Sequence, residues 1–468
     1  MIKPRLDWSK TWDSLFEPLG LICISQVAKS LGNEVIILDQ AQKENRTSSG
    51  LLLSLKKIKP HLIGITSTTH EFPHALNIAR QIKSWNHEIP IVFGGYHVSG
   101  NKEVLAEDSV DMVIRGEGEE PFKSLLQGLG DEKKMRQING LSFKTKQEII
   151  HNPPQPRIKS LESFGIPYRD DMNPSPYHWL GIADVWPFGQ NFFTVQSARG
   201  CRKKCVFCQT PVIRGTELIL RPVSQVLDEI QLLYTKYKAN LIAFIDEDFS
   251  AFPERIMEIC DGLLTRNIKI PWCSTVSAEN VTSALAKNMR KAGCCFVNLG
   301  IETGSDEGLK KINKQTSISR IKTTAKYLMD ADIQILGTAI IGFPWETEVD
   351  LNRNLDFFRT LPVDILGLSF CIPFNGTPIR KIADSENLIF DFNLSHWTGD
   401  FPVMKTRFLD EGRLKYFFRK IQRDFYLGIG FRTKIFRLFW KKPFRIFSLG
   451  TSICISTFHG GIKTRFFP

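Results

Sequence analysis

From Pro18 to Glu120, apolar residues recur alternately with a helical period and a strand period, with turn residues at each seam. No other feature of the chain restricts its fold as much. Leu19 to Leu31 reads as a helix closed by Gly32, Glu34 to Leu38 as a strand, Asn45 to Lys57 as a helix and Leu62 to Thr66 as a buried strand. A helix over Pro73 to Ser84 and strands over Pro90 to Phe93 and Asp111 to Ile114 follow. Short strands separated by helices of this length pair in parallel, with helices on both faces and ligands at the strand carboxyl ends. Those ends carry Thr66-Ser67-Thr68-Thr69-His70, Gly94-Gly95-Tyr96-His97 and Arg115-Gly116-Glu117-Gly118-Glu119. A sheet of this kind normally opens with an apolar strand. None is legible in residues 1–17, so either the sheet lacks its first strand or the start is atypical, with the strand read as missing.

A second alternating block runs from Asn191 to Gly376. Strands are expected over Phe192 to Gln196, Leu241 to Ile245, Trp272 to Thr275, Phe296 to Leu299, Ile333 to Ile341 and Ile365 to Phe370, with helical stretches between them. Six such units, with no seventh or eighth, predict a partial (βα)6 barrel open on one side, its active residues gathered at the strand C-terminal ends. Residues 139–152 read as a small hairpin, and 153–190, rich in Pro and aromatics, as an ordered linker. The expected class is α/β: a doubly wound domain over 1–138, hairpin and linker over 139–190, the barrel over 191–385, and a helical basic and aromatic region over 386–468.

Composition excludes whole classes. A chain of 468 residues with 42% hydrophobic and 24% charged residues is globular rather than disordered or fibrous. Ten cysteines are too sparse for a disulfide scaffold, and the start lacks the apolar core of a signal peptide. No apolar run reaches the ~18 to 20 residues of a spanning helix, so the cytosol is the expected compartment. The net charge of +12 sits in the tail: from Lys405 onward fifteen Lys or Arg face three acids, and the rest of the chain is neutral. Basicity therefore says little about the rest of the chain.

Three of the cysteines fall within eight residues, Cys201-Arg-Lys-Lys-Cys205-Val-Phe207-Cys208, directly after the first barrel strand and the turn Ser197-Ala198-Arg199-Gly200. No His lies between His178 and His396, so a fourth local ligand for tetrahedral zinc is hard to supply. Three thiolates on one loop suit a [4Fe-4S] cluster with one iron open to an exogenous ligand; a zinc knuckle or a chance cluster is the alternative. The other cysteines lie mostly in apolar runs and read as core.

The triplet resembles that of the radical S-adenosylmethionine (SAM) enzymes, a cysteine loop with an aromatic before its last cysteine, after the first strand of a six-unit TIM-like barrel. The resemblance implies that the open iron chelates the methionine moiety of SAM and that one electron from the cluster releases a 5′-deoxyadenosyl radical. It also implies SAM contacts for Phe207, for Asp246, Glu247 and Asp248 after the second strand, for Glu302 at the end of the fourth, and for Ile340, Ile341 and Gly342 along the adenine at the fifth.

The N-terminal block resembles the Rossmann-like cobalamin-binding domain that precedes the barrel in B12-dependent members. That likeness implies cobalamin contacts for Thr66, Ser67, Gly94, Gly95, His97, Gly116 and Glu117, with His70 also at a sheet end that would face the cofactor. Glycines there let backbone approach the nucleotide tail. A degenerate domain that has lost its cofactor is the alternative. The Asp-x-His-x-x-Gly signature that would give cobalt a lower His ligand is absent, since the first His is His61. A single cysteine, Cys23, precedes Cys201, which argues against a second cluster of the RNA methylthiotransferase sort. Pro373-Phe374-Asn375-Gly376-Thr377-Pro378 resembles the Pro-x-Pro-Gly-Thr turn of this subclass, with Asn375 in place of Pro.

The branch resembled includes anaerobic magnesium-protoporphyrin ester cyclase and radical C-methylases. The implied function is methyl transfer to an unactivated carbon; cyclisation or rearrangement with cobalamin as electron carrier, and a non-catalytic cobalamin and SAM sensor, are the alternatives. The implied partners are a small-molecule substrate, lipid or tetrapyrrole-like, and an electron donor such as flavodoxin or ferredoxin. Residues 413–447 interleave cations with eleven aromatics. They read as a cap on the open barrel, with contact to the cytoplasmic face of a membrane as the second reading and nucleic acid as the last.

Overall fold

The computed structural model describes residues 1–4, 16–42, 45, 47–170, 191–428 and 431. The tail beyond Phe431 and the second half of the expected linker lie outside the described residues.

The first sheet contains β1 (Ile2–Lys3), β2 (Leu38–Asp39), β3 (Ile63–Thr66), β4 (Ile91–Gly94), β5 (Met112–Ile114), β6 (Leu141–Lys144) and β7 (Ile149–His151). Their order is β2-β1-β3-β4-β5-β6-β7. The first five pair in parallel, and β6 and β7 continue the sheet as an antiparallel hairpin, Met112 facing Phe143. The expectation that the first strand is missing is thus corrected. Ile2–Lys3 is that strand, flanked by β2 and β3, with Ile2 fully buried. Two residues are too short to show a period of two, which is why a pattern search passes over them. Their place matters, because strand order reverses between β1 and β3, and such reversal points are where doubly wound sheets bind ligands.

The second sheet runs β8 (Phe192–Val195), β11 (Leu241–Phe244), β12 (Trp272–Val276), β13 (Cys294–Glu302), β14 (Gln334–Ile341) and β15 (Ile365–Phe370), in chain order and all parallel. Between β8 and β11, β9 (Ala198–Arg199) and β10 (Ile219–Leu220) form a small antiparallel pair. The six strands match the expected barrel. Its main core lies between sheet and helices, with Phe193, Ile242, Val297, Ile335 and Phe358 each at most 1% exposed. A separate group of Phe192, Leu241, Ala243, Cys273, Cys295 and Phe296 fills the other face at the strand starts.

Both edges of this open sheet are covered. On β15, the helix Glu411–Leu427 buries Leu414, Phe417, Phe418, Ile421 and Phe425, and the Phe418 ring stacks 4.5 Å from Phe370. This part of the basic tail is therefore the expected cap. Several of its cations are engaged locally, among them Arg413 with Glu348 and Lys420 with Asn352 at 2.9 Å. No helix among the described residues is long and apolar enough to cross a membrane.

On β8 the cover is ionic. Thr194 donates its N–H to Glu17 Oε1 at 2.8 Å and accepts Arg169 Nη2 on its carbonyl at 2.7 Å. Arg169 pairs with Glu17 at 3.1 Å and with Glu229 at 2.6 Å, and Glu229 also holds Arg221. Burial alone would lower the Arg169 guanidinium, and the two carboxylates more than reverse it, leaving Arg169 above the usual arginine range. We expect Arg169→Met to destabilise the protein by about 3–5 kcal/mol in chemical denaturation, because it strands Glu17 as a buried charge and leaves Glu229 with Arg221 alone.

Candidate active site

The chain leaves β8 through Ser197, turns at Gly200, whose φ of +97° favours glycine, and enters the cysteine loop. A Cβ at Gly200 would collide with the Glu217 carbonyl. The loop is fastened to three neighbouring segments. Lys203 reaches Ser277 and Glu279 at the end of β12, Asn313 Nδ2 donates to the Lys204 carbonyl at 2.9 Å, and Val206 bonds Ile312 and Ile379 through its N–H and C=O at 3.1 and 3.2 Å. Cys201, Cys205 and Cys208 are free and half-buried, whereas Cys260, Cys273, Cys294, Cys295 and Cys371 are buried in the core as expected. Burial pushes the Cys205 thiol up to about 12 and raises Cys201 as well.

These residues fit an iron-sulfur cube. Among the described residues no three His, Cys, Asp or Glu side chains converge on one metal ion. A cube does not ask for that, since each thiolate takes a separate iron and the fourth iron stays open. A thiol held protonated by its surroundings becomes a ligand once metal cations stabilise the thiolate.

The three carboxylates after β11 brace this loop. Asp246 accepts the Ser197 amide at 2.7 Å and the Ser197 hydroxyl, and burial raises its carboxyl to about 6. Glu247 links the Gly200 amide at 3.2 Å to Arg214 at 2.7 Å. Asp248 accepts the Ser250 amide at 3.1 Å and the Ser277 hydroxyl at 2.8 Å. Glu302 sits at a bulge at the end of β13 with φ +64°, paired to buried Lys314 at 2.5 Å. On β14, Ile340 is half-buried on the face of Thr338, whose hydroxyl bonds Asn298 at 3.2 Å; Ile341 points to the opposite face and is fully buried. Gly342 follows with φ +87°. Phe207 lies 5.9 Å from Phe343, which stacks on Trp345 at 5.4 Å, so the loop aromatic meets the end of β14.

A cavity of about 300 Å³ opens at the C-terminal ends of the first sheet. Thr66, Gly94, Gly95, Gly116 and Glu117 line it, together with Met1 and Gly64 at the reversal point. Ser67, His97 and His70 do not. His97 is 2% exposed, stacks on Phe72 at 4.2 Å and is lowered by burial to about 4, so it belongs to the packing beneath the loop. Among the described residues no histidine lines this cavity. Glu117 suits a polar ligand there: one carboxylate oxygen is buried with no hydrogen-bond partner, and burial raises its carboxyl.

Sequence reasoning missed the opposite wall. Arg199, two residues before Cys201, pairs with Glu119 at 2.6 Å; Arg214, six residues after Cys208, lies 5.6 Å over the Tyr96 ring. All four residues line the cavity. The doublet Gly94-Gly95 and the run after β5 gave that signal for one wall only, because a lone arginine near a cysteine motif carries no spacing to recognise.

Residues 195–358 match the radical SAM superfamily and residues 11–126 the B12 binding domain. An uncharacterized methyltransferase of Pyrococcus horikoshii is 31% identical over 416 residues, covering 88% of each chain. The anaerobic magnesium-protoporphyrin IX monomethyl ester cyclase of Cereibacter sphaeroides is 25% identical over 405 residues, 81% of this chain and 64% of that one. Among solved structures, the cobalamin-dependent SAM radical enzyme OxsB with aqua-cobalamin and SAM bound superposes with a TM-score of 0.73 at 19% identity, over 98% of this chain and 71% of that one. The chain belongs to the radical SAM superfamily, among its cobalamin-binding members. It is an enzyme, and its cofactors are a [4Fe-4S] cluster, SAM and cobalamin.

Alanine at Cys201, Cys205 or Cys208 is expected to abolish both the visible iron-sulfur absorbance after anaerobic reconstitution and SAM cleavage, while alanine at Cys294 or Cys371 leaves both in place; full iron content in Cys205→Ala would overturn the cluster assignment. For cobalamin, Gly94 is the cleaner probe. A Cβ at Gly95 would stand 2.6 Å from the Ser67 carbonyl and strain the fold, whereas one at Gly94 meets nothing within 4 Å. Gly94→Phe is therefore expected to weaken hydroxocobalamin binding in a spectral titration at least about tenfold by filling the cavity, with cluster content unchanged.

Proposed function

We propose that this enzyme methylates an unactivated carbon of a small molecule. When bound, the cluster and SAM supply a radical that removes hydrogen from carbon, and cobalamin supplies the methyl group that replaces it. The observation that carries this reading is the shared wall. Arg199 and Arg214 bracket the cysteine triplet and also line the cavity of the first sheet, so the two chemistries work on one substrate without either cofactor travelling far. In this reading the thiols of Cys201, Cys205 and Cys208 hold the cluster, the ends of β13 and β14 at Glu302 and Ile340 to Gly342 hold SAM, and Gly94, Gly95 and Glu117 receive cobalamin. The described residues offer cobalt no imidazole from the cavity lining.

A lipid or tetrapyrrole-like substrate and reduction by a flavodoxin- or ferredoxin-type protein complete the proposal. The cyclase relative favours a second reading, in which cobalamin carries electrons and no methyl group moves. The two are separated by incubating the reconstituted enzyme with reductant, a porphyrin or isoprenoid panel and SAM labelled in its methyl group. Methylation is expected to release 5′-deoxyadenosine and S-adenosylhomocysteine in equal amounts, with label in the product. Deoxyadenosine without S-adenosylhomocysteine would favour the cyclase reading, and the absence of both products would show that the substrate lies outside the panel.

A further inference from the structure

The ends of β13 and β14 are joined by a residue that no motif marks. Asn354, 1% exposed in the helix Glu348–Phe358, accepts the Thr303 hydroxyl at 3.0 Å and the Gly304 amide at 2.6 Å on a single oxygen. Its Nδ2 donates to Glu346 Oε1 at 3.1 Å. The other oxygen of Glu346 accepts the amides of Gly342 at 2.6 Å and Phe343 at 3.0 Å. Thr303 and Glu346 are each 3% exposed, so no water is needed to complete the chain. The approach is close enough that a Cβ on Gly304 would come within 2.6 Å of the Asn354 Cα.

We propose that Asn354 is a positioning residue that sets the spacing between Glu302-Thr303-Gly304 and Gly342-Phe343, and through them the shape of the SAM site; this rests on the reading of those strand ends as the SAM site. The amide is suited to the task because its planar group presents an acceptor to Gly304 and a donor to a carboxylate in one fixed orientation. Leucine or alanine would leave the Gly304 amide and one oxygen of Glu346 buried without their partner. Aspartate would keep the acceptor and set a second carboxylate against Glu346.

SAM binding by equilibrium dialysis on the reconstituted holoenzyme tests this, with iron and cobalamin content measured alongside. Asn354→Ala is expected to weaken SAM binding about tenfold or more, and Thr303→Val, which removes one donor and keeps the shape, to weaken it less, with both cofactors retained. Asn354→Asp adds a readout that loss of packing alone would not give. Besides residue 354, the titratable groups near Glu346 among the described residues are Asp350 on the same helix, the Cys371 thiol beyond β15, and Glu307 and Lys311, which line the same small pocket; Thr406 caps its backbone from the segment before the last helix. Between about pH 6 and about pH 8.5 the aspartate variant is expected to lose SAM affinity as pH rises, because the proton shared between two facing carboxyls leaves. The native enzyme, whose Glu346 then becomes the full acceptor of three donors, is expected not to lose it. If Asn354→Ala fails to assemble, Thr303→Val and the aspartate pH profile decide. Unchanged affinity in those variants beside a loss in Glu302→Ala would overturn the role of Asn354 and keep the site; unchanged affinity in all of them, Glu302→Ala included, would overturn the site reading itself.

Discussion

A sheet that stops at six strands has two edges, and the edge at β8 is the one on which the rest of this molecule depends. An unpaired edge leaves backbone N–H and C=O groups that must be covered or hydrated. Here Glu17 and Arg169 take the place of a seventh strand at Thr194, one supplying the acceptor and the other the donor. The two ions are almost fully buried, at 1% side-chain exposure each, and such pairs gain little over apolar residues of the same volume. What they contribute is direction. Glu17 comes from the segment before the first helix and Arg169 from the linker, so both connections are tied to the strand that leads into the cysteine loop.

The same economy of position governs the loop. Asp246, Glu247 and Asp248 carry the acidity that a motif search assigns to SAM, and the fold uses their oxygens on Ser197, Gly200, Arg214, Ser250 and Ser277. A thiolate triad must hold three irons at fixed corners, and a loop can do so only if its own backbone is held from several sides. The carboxylates fix its entry, Lys203 ties its middle to the end of β12, and Ile312, Asn313 and Ile379 hold the stretch from Lys204 to Val206.

Much of this was legible in the sequence, for physical reasons that also explain the failures. The barrel strands were readable because each is an apolar run between helices of ordinary length, and Cys201, Cys205 and Cys208 because spacing is local. Ile2–Lys3 was not, since burial of a two-residue strand comes from its neighbours β2 and β3 rather than from a pattern of its own. His97 was read as facing a ligand because it follows Gly94-Gly95, but the left-handed turn at Gly95 starts a short helix, Tyr96–Ser99, that sends the imidazole down onto Phe72 and leaves Tyr96 on the cavity. Asn354 lies mid-helix, fifty residues from Gly304, and a contact of that separation leaves no trace in local periodicity.

The position of the cavity carries the last step. Its floor is the point between β1 and β3 where strand order reverses, and its roof is the pair of arginines beside the cysteine loop. Arg199 is neutralised by Glu119 from the first sheet and Arg214 by Glu247 from the second, so one guanidinium crosses between the halves by charge, while the other reaches Tyr96 across the same gap by its ring face. A ligand that fills the cavity therefore presses on residues two before Cys201 and six after Cys208. Arg199 and Arg214 thus stand in the cavity wall and beside the cysteine loop at once, and their contacts to Glu119, Glu247 and Tyr96 tie the carboxyl ends of one sheet to those of the other.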